Sequence, residues 1–191
     1  MQEQTPEPRS DADARPPGEL PEELRRILRD SFYIRTTMKR RRSGTPRTVE
    51  TTYCWDGGNR VVISGYPGKR DYVANMAAHP DVTVHTVEFE PWFDIPATAR
   101  VVRDRDERVP LLMKFVERWT VRPGFPRRRF NFAMGAVKLN RRLHLPWWGP
   151  FYFARRIFDA MPCVEVTFTG PPVQRDSGGP PPLSEPDTTR P

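Results

Sequence analysis

The sequence predicts a small β-barrel, mainly β in content, with a few flanking helices. Apolar and polar residues alternate with a period of two over 49–55, again from Val82, and in 164–168. The turn sequence Asp56-Gly57-Gly58-Asn59 follows the first of these segments and is typical of a β-hairpin. Strands and helices do not alternate over long stretches as they do in a doubly wound parallel sheet, so an antiparallel barrel is favoured.

Length and composition predict one domain between two disordered tails. A chain of 191 residues can bury one sizeable core. Residues 1–17 and 171–191 are rich in Pro, Asp, Ser and Gly and poor in apolar residues, so burial cannot offset their ordering entropy. The predicted domain therefore spans 18–170, with a basic, aromatic helical region near 119–160.

The first half of the domain begins with a helix and continues as strands. Leu20, Leu24, Ile27 and Leu28 recur at helical spacing, and Pro21 suits a first helical turn. This pattern predicts a short amphipathic helix that ends near Asp30. The hairpin is predicted from three consecutive features: the alternating segment that ends at Trp55, the Asp-Gly-Gly-Asn turn, and Val61-Val62-Ile63.

The second half mixes helices and strands. A glycine-containing loop leads into a helix predicted from about Lys69 to Ala78, and Pro80 follows its end. The segment "FDIPATARVV" predicts one further strand. Apolar residues at helical spacing predict a helix over 105–119, and the alternation in 164–168 predicts the last strand.

Charge and cysteine content narrow the classes of partner and site. The formal net charge of +7 and a pI near 9.9 favour an anionic partner. Neither a membrane-spanning run nor a secretory signal is visible, so we expect a cytoplasmic protein. Cys54 and Cys163 stand apart without CxxC spacing, and the three histidines are scattered. We expect two reduced thiols and no metal site.

A basic turn is the strongest candidate for an anion-binding site. Lys39, Arg40, Arg41, Arg42 and Arg47 surround Ser43 and Gly44. The hydroxyl, the backbone amides that glycine leaves open and the planar guanidinium of Arg47 would suit a phosphate or a carboxylate. A solvated hairpin end is the alternative interpretation. The turn matches neither a Walker A loop nor a dinucleotide-binding GxGxxG motif.

Two segments in order resemble a known family. "TTMKRRRSGTPR" and "DGGNRVVISGYPGKRDYVANMAAHPDVTV" are similar to the deazaflavin-dependent nitroreductases, which resemble the flavin-binding split β-barrels of the pyridoxamine-phosphate-oxidase type. The resemblance covers Tyr33 to Thr86. It implies a split barrel and a coenzyme site, and neither segment would be specific without the other.

The resemblance implies which residues bind the coenzyme. In the first motif, the cations and hydroxyl for its acidic tail map onto Arg41, Arg42, Ser43 and Arg47. In the second, the loop and helix that contact it map onto Gly65, Gly68, Lys69, Arg70, Tyr72 and Asn75. The chain departs from the family pattern in a longer first turn without its usual glycine, and in Tyr72 where tryptophan is usual.

The coenzyme that the resemblance implies is coenzyme F-420, a deazaflavin with a phosphodiester and an oligoglutamate tail. Five cations between Lys39 and Arg47 exceed what the single phosphate of FMN requires, so FMN is the second choice. The implied function is an oxidoreductase that transfers hydride from reduced deazaflavin to a nitro, quinone or enone-like acceptor, small and apolar. The sequence assigns no catalytic residue, since the cofactor itself transfers hydride. A non-catalytic split-barrel module that binds FMN, haem or another ligand is an alternative.

A basic, aromatic stretch lies outside the resemblance. Between Arg118 and Arg156 the chain has ten Arg or Lys and no Asp or Glu, interleaved with nine Trp, Phe or Tyr residues between Trp119 and Phe153. The aromatic rings could form a core and a lid over the coenzyme while the cations face solvent. The rings and cations together could also bind the protein peripherally to an anionic membrane. Binding of single-stranded nucleic acid is a third, less favoured alternative.

Overall fold

The structure is a computed structural model that describes residues 19–120, 127–145, 150–176 and 178–185. The predicted N-terminal tail, residues 1–17, lies outside them. The helices are α1 (Glu22–Asp30), α2 (Asp71–Ala78), α3 (Arg105–Thr120), α4 (Arg127–Arg142) and α5 (Pro150–Ala160). The strands are β1 (Tyr33–Lys39), β2 (Pro46–Trp55), β3 (Arg60–Ser64), β4 (Asp81–Thr86), β5 (Phe93–Val101), β6 (Val164–Phe168) and β7 (Val173–Gln174).

Six strands form a closed antiparallel barrel, which confirms the predicted fold class. Their order is β4-β1-β2-β3-β6-β5, and β4 pairs with β5 to close the ring. At the closing seam Val84 lies opposite Ile95, and at the β3–β6 seam Ile63 lies opposite Val164. All six pairings are antiparallel. Closure removes the exposed edges that an open sheet would present.

The alternating pattern places one face of each strand inside the barrel. Ile34, Tyr53, Ile63 and Val84 are at most 1% exposed and belong to one core cluster. Helix α1 adds its apolar side chains Leu24, Ile27 and Leu28 to this core, as its spacing predicts. The Tyr53 hydroxyl donates to the Leu28 carbonyl at 2.8 Å, so the buried polar group is satisfied.

The predicted hairpin joins β2 and β3. The Asp56 amide donates to the Arg60 carbonyl at 3.1 Å, and Asp56 Oδ1 accepts from the Gly58 amide at 2.8 Å. Gly57 has a φ of 90°, a left-handed conformation that favours glycine. The turn residues recognised in the sequence therefore have the local roles that their chemistry predicts.

A helical layer covers one outer side of the barrel. Val62 of β3 faces away from the barrel core and packs with Leu112 and Phe115 of α3, Met134 of α4 and Phe158 of α5. Helix α3 contacts both α4 and α5. The region near 119–160 that the sequence predicts as helical thus contributes Met134, Val137 and Phe158 to a second apolar cluster on the outside of the sheet.

The C-terminal segment lies along the barrel. We call residues 171–176 and 178–185 the C-terminal strap. Strand β7 pairs with β5, and the Ser184 amide donates to the Thr48 carbonyl at 3.0 Å. Arg35 Nη1 donates to the Pro181 carbonyl at 2.8 Å. Backbone hydrogen bonds to the barrel thus hold the described part of the segment that the sequence predicts to be disordered, although it has few apolar side chains.

Two further sequence expectations concern thiols and membrane spans. Both Cys54 and Cys163 are free, as predicted. Within the residues that the structure describes, no helix combines the length and apolarity needed to cross a bilayer.

Candidate functional site

A basic cleft of about 540 Å³ lies where four segments meet. The segments are the turn after β1, the loop and first turn of α2, the end of β5 with the start of α3, and the link between α5 and β6. The lining residues are Arg41, Gly68, Lys69, Arg70, Asp71, Val73, Ala74, Val101, Val102, Arg103, Arg108, Ala160, Met161, Pro162 and Cys163.

Helix α2 connects the two segments that carry the family resemblance. Asn75 is 4% exposed, and its Oδ1 accepts a hydrogen bond from the backbone amide of Arg41 at 3.2 Å. The turn after β1 is thereby tied to the helix that follows the glycine loop. Arg41 consequently lines the same cleft as Lys69 and Arg70, although it is far from them in sequence.

The glycine loop has a conformation that requires glycine at one position. Gly68 has a φ of 129°, which other residues rarely adopt. Its amide donates to the Ala160 carbonyl at 2.8 Å, which ties the loop to the end of α5. Apart from the adjacent residues, no described atom lies within 4 Å of the position that a Cβ would take at Gly68. Backbone conformation rather than space therefore restricts substitution there.

Two hydrogen bonds hold the opposite wall of the cleft. The Val102 amide donates to the Cys163 carbonyl at 3.0 Å. The Ser64 hydroxyl donates to the Pro162 carbonyl at 2.6 Å. The wall thus rests on the barrel strands β3, β5 and β6, which gives the cleft a fixed side.

The cleft has a strong positive charge. Its lining has five cations, Arg41, Lys69, Arg70, Arg103 and Arg108, and one carboxylate, Asp71, so its formal charge is +4. Cations gathered in one concave site attract phosphate and carboxylate groups and can form charge-assisted hydrogen bonds to them.

Arg103 and Arg108 are cleft residues that the sequence reasoning missed. Arg108 Nη2 donates to the carbonyls of Asp159, at 2.9 Å, and Met161. Its Nε is buried and has no hydrogen-bond partner among the described residues. Neither arginine belongs to a local motif. In the sequence, these two arginines contribute to the excess of positive charge, and this excess does not indicate which cations line a cleft.

Other members of the predicted site lie outside the cleft lining. Ser43 Oγ is 2.7 Å from Thr45 Oγ1, so this hydroxyl organises the turn itself. Gly44 has a φ of 70°, and its amide donates to the Arg40 carbonyl at 2.9 Å. Arg42 is exposed beside them. Arg47 is half-buried on β2, and its Nε has no partner in the described part of the chain.

Tyr72 and Gly65 also lie away from the cleft. Tyr72 is half-buried and packs against the barrel core, and this burial raises the pKa of its hydroxyl to about 12. Gly65 follows β3, where its Cβ position would be 3.8 Å from Thr52 Oγ1. A stacking role for Tyr72 therefore stays a prediction from the family resemblance.

The thiol in the cleft remains protonated at neutral pH. Cys163 is 3% exposed, and burial raises its pKa to about 11. A thiol is a poor nucleophile compared with a thiolate, so the cleft does not present an activated cysteine.

The described residues also contain no group of three His, Cys, Asp or Glu that could hold a metal ion. The arrangement favours binding of an organic anion.

Comparison with known proteins gives one family match that covers most of the chain. The profile of the pyridoxamine 5′-phosphate oxidase family matches residues 20–141. This range includes the barrel strands β1 to β5, the glycine loop and the basic turn. No curated protein matches the chain in sequence at a significant level.

Solved structures with a similar fold have low sequence identity. An F-420 reductase is 18% identical over 78% of this chain and 96% of its own, with a TM-score of 0.45. A protein of the pyridoxinephosphate oxidase family from Clostridium acetobutylicum, related to general stress protein 26, is 11% identical over 78% and 82%, with a TM-score of 0.46. The heme storage protein HutZ from Vibrio cholerae is 11% identical over 78% and 89%, with a TM-score of 0.46. These identities are too low to transfer an activity.

Proposed function

The chain belongs to the pyridoxamine 5′-phosphate oxidase family, and from this premise we propose that it is an oxidoreductase that binds a phosphate-bearing flavin-type coenzyme in the basic cleft. The observation that carries the proposal is the convergence of five cations from separate segments on one cleft. Cations distributed over a surface would be explained by solubility alone, whereas cations that line one concavity create a positive potential there that attracts an anionic ligand.

The residues present fit such a coenzyme in size and in chemistry. A cleft of about 540 Å³ lies within the range of small-molecule and cofactor sites. The buried Arg108 Nε has no partner among the described residues, and an unsatisfied buried donor is costly unless a ligand accepts a hydrogen bond from it. An anionic oxygen would satisfy it. The lining also contains apolar side chains, among them Val73, Val101 and Met161, which suit a ring system.

Within this family we propose the deazaflavin coenzyme F-420 rather than FMN. The cleft has more cations than one phosphate requires, and exposed Arg42 and half-buried Arg47 extend the positive charge along the turn beyond the lining. An oligoglutamate tail that leaves the cleft would meet these two arginines. The resemblance of the two sequence segments to the deazaflavin-dependent nitroreductases supports the same choice.

The chemistry follows from the coenzyme, and the protein provides binding and orientation. Reduced deazaflavin supplies a hydride, which a nitro, quinone or enone-like acceptor takes up together with a proton from water. Lys69 and Arg70 precede α2, where the helix dipole adds to their attraction for an anion. Arg41 reaches the same cleft through the turn that Asn75 holds. Val101, Met161 and Pro162 limit the access of water to one wall.

A comparative titration tests the proposal. The purified chain is titrated with coenzyme F-420 and, separately, with FMN, and turnover is followed as oxidation of reduced coenzyme with a nitroaromatic, a quinone or an enone. We expect tighter binding of F-420 and acceptor-dependent oxidation. Tighter binding of FMN would overturn the choice of coenzyme. Binding without turnover would identify a carrier module instead of an enzyme, and binding of neither compound would refute the assignment of the cleft.

A further inference from the structure

Helix α4 has two apolar faces, and the described residues pack against only one of them. Met134 and Val137 are 9% and 5% exposed and join the second apolar cluster. Phe132 and Leu139 lie on the opposite side of α4, and Leu143 directly follows the helix, where its amide donates to the Leu139 carbonyl at 3.0 Å and continues the helical turn. Spacings of seven and eleven residues return to nearly the same direction on a helix, so the three side chains share one side. They are 82%, 57% and 55% exposed. We call these three residues the outer stripe.

Exposed apolar side chains concentrate in this part of the molecule. Ten large apolar side chains are exposed among the described residues, and six of them lie between 132 and 157. The six are Phe132, Leu139, Leu143, Leu145, Tyr152 and Ile157. Large exposed apolar patches on a water-soluble surface mark interaction sites, whereas single exposed residues do not, and the three outer-stripe side chains share one side of one helical segment.

The helix that bears the outer stripe is strongly basic. Its sequence, RRRFNFAMGAVKLNRR, has six cations and no acidic residue. Arg128 lies one turn before Phe132, and Arg142 lies beside Leu143. Lys138 pairs with Glu117, whereas Arg128, Arg141 and Arg142 form no ion pair with any residue that the structure describes. The positive charge next to the stripe is therefore available to a partner.

We propose that the outer stripe and its arginines form a docking surface for an anionic lipid membrane. An interfacial helix places Phe and Leu at the level of the acyl chains while Arg binds the headgroup phosphates, and α4 has both groups of residues. Anionic lipids attract each basic residue near the surface with about 1 kcal/mol, about a fivefold gain in affinity. The proposal does not depend on the coenzyme, since no residue of the outer stripe lines the basic cleft.

Two other occupants fit the surface less well. A second copy of the chain would bring another helix with six cations and no acidic residue against the first, so repulsion would oppose association. A nucleic acid would interact with the arginines, but bases stack on aromatic rings, and the stripe has one ring and two leucines. Charge and apolarity together favour lipid.

A cavity beside the stripe suits a headgroup. It has a volume of about 420 Å³ and is lined by Arg105, Asp106, Val109, Arg141, His144 and Leu145. Arg141 and Leu145 thus connect the end of α4 to this concave site, where Arg141 is the cation for a headgroup because Arg105 Nε lies 3.5 Å from Asp159 Oδ1. A lipid phosphate held there would lie next to the exposed Leu143 and Leu145, where its acyl chains could contact apolar surface.

Co-sedimentation with vesicles tests this docking surface. The full chain is mixed with phosphatidylcholine vesicles and with vesicles that contain about one third phosphatidylglycerol, at low and high salt. The stripe variant carries Phe132→Gln, Leu139→Gln and Leu143→Gln. The matched control carries Phe89→Gln and Leu183→Gln, at positions 41% and 52% exposed elsewhere on the surface. All three proteins are also titrated with coenzyme.

We expect salt-sensitive binding to the anionic vesicles. The affinity for these vesicles should fall at least about tenfold in the stripe variant and should not fall in the control. Arg128→Gln with Arg142→Gln should lower affinity by about fivefold for each arginine. Coenzyme affinity should be the same in all three proteins, so a failure here is distinct from a failure of the cleft. Equal vesicle binding by the stripe variant and the wild type would overturn the proposal, and so would absence of vesicle binding. Oligonucleotide binding or self-association in its place would also overturn it.

Discussion

The basic cleft and the outer side of strand β6 differ in whether their basic side chains pair with carboxylates. In the cleft, Arg41, Lys69 and Arg103 form no ion pair with any described residue. At β6, Glu165 is 7% exposed, and its Oε1 lies 2.8 Å from Arg60 Nη1 while its Oε2 accepts from Arg100 Nε at 3.1 Å. Arg100 also pairs with Glu107, whose pKa these hydrogen bonds lower.

The comparison shows that net charge does not identify an anion site. Arg100 and Arg103 are three positions apart, yet the first is neutralised by carboxylates and the second lines the cleft. A paired guanidinium has little field left for a ligand, because the carboxylate partner cancels it at short range. Only the arginines that the fold leaves without partners can attract a coenzyme. Three variants test this distinction, and a fourth prediction concerns the pH dependence that one buried histidine gives the barrel.

Lys69→Glu should weaken coenzyme binding by about a hundredfold, because it removes a charge-assisted contact and places a carboxylate that repels the anionic groups of the coenzyme. Fluorescence titration with coenzyme F-420 measures the effect, and a thermal melt should show an intact fold, since Lys69 is exposed. Arg26→Glu on the exposed face of α1 is the matched charge reversal and should leave affinity unchanged. An equal loss in both variants would mean that overall charge, not the cleft, attracts the coenzyme.

Glu165→Gln should lower stability by about 1–2 kcal/mol without changing coenzyme affinity. The neutral amide cannot balance Arg60 and Arg100, but both guanidiniums are half exposed and water replaces part of the loss. Urea unfolding measures the change as a lower midpoint at constant slope. Asp30→Asn removes an exposed carboxylate on α1 and is the matched control. A large gain in coenzyme affinity would show that the freed arginines can reach the cleft, which contradicts the separation of the two groups.

Replacement of Arg42 and Arg47 by Ala should reduce affinity for coenzyme F-420 by about tenfold and leave affinity for a tail-less deazaflavin unchanged. The reason is that both residues lie beyond the cleft lining, where a tail but not the ring system would reach them. The salt dependence of binding should also become weaker in this variant. Equal losses for the two ligands would show that the arginines support the barrel. No loss for either would leave the turn as a solvated hairpin end.

Acidification should destabilise the fold through His85, the smallest of the four effects. His85 Nδ1 lies 2.6 Å from Asp94 Oδ1, and Thr37 Oγ1 lies 2.8 Å from its Nε2. Burial lowers the pKa of His85 below 6.5 and outweighs the opposite influence of Asp94, while Arg175 and Arg35 lower it further. The unfolded chain therefore binds the proton first, so stability is complete above pH 6.5 and falls as pH decreases below it. His85→Gln should remove this part of the pH dependence of Tm, and an unchanged profile would contradict it.

The candidate site was predictable where its residues are neighbours in sequence. Gly68, Lys69 and Arg70 precede α2 in one loop, and their loop-to-helix chemistry can be recognised locally. Arg41 was predicted from the basic turn and does line the cleft. A role in binding coenzyme stays a prediction for these residues and equally for Arg42, Ser43, Arg47, Gly65, Tyr72 and Asn75. The contact of Asn75 with the Arg41 amide shows how two of the segments meet.

The C-terminal strap shows the limit of composition as a guide. Few apolar residues in 171–191 predict disorder because side-chain burial alone is counted. The strap instead gains backbone hydrogen bonds from β5 and from Thr48, and its prolines reduce the entropy lost on ordering. These partners are more than a hundred residues away for Ser184, so no local pattern announces them.

The sequence by itself determined the elements and the chemistry of short segments: the period-two strands, the Asp56–Asn59 turn, helix α1 and the glycine loop before α2. These depend on the conformations of adjacent residues, which side-chain type controls directly. Tertiary structure alone decided which cations remain without partners. The barrel pairs β5 with β6 and so places Glu165 against Arg100, while the same fold brings Arg103 and Arg108 to the cleft beside Lys69. Ion pairing depends on distances of a few ångströms between residues far apart in the chain, and the fold alone sets those distances.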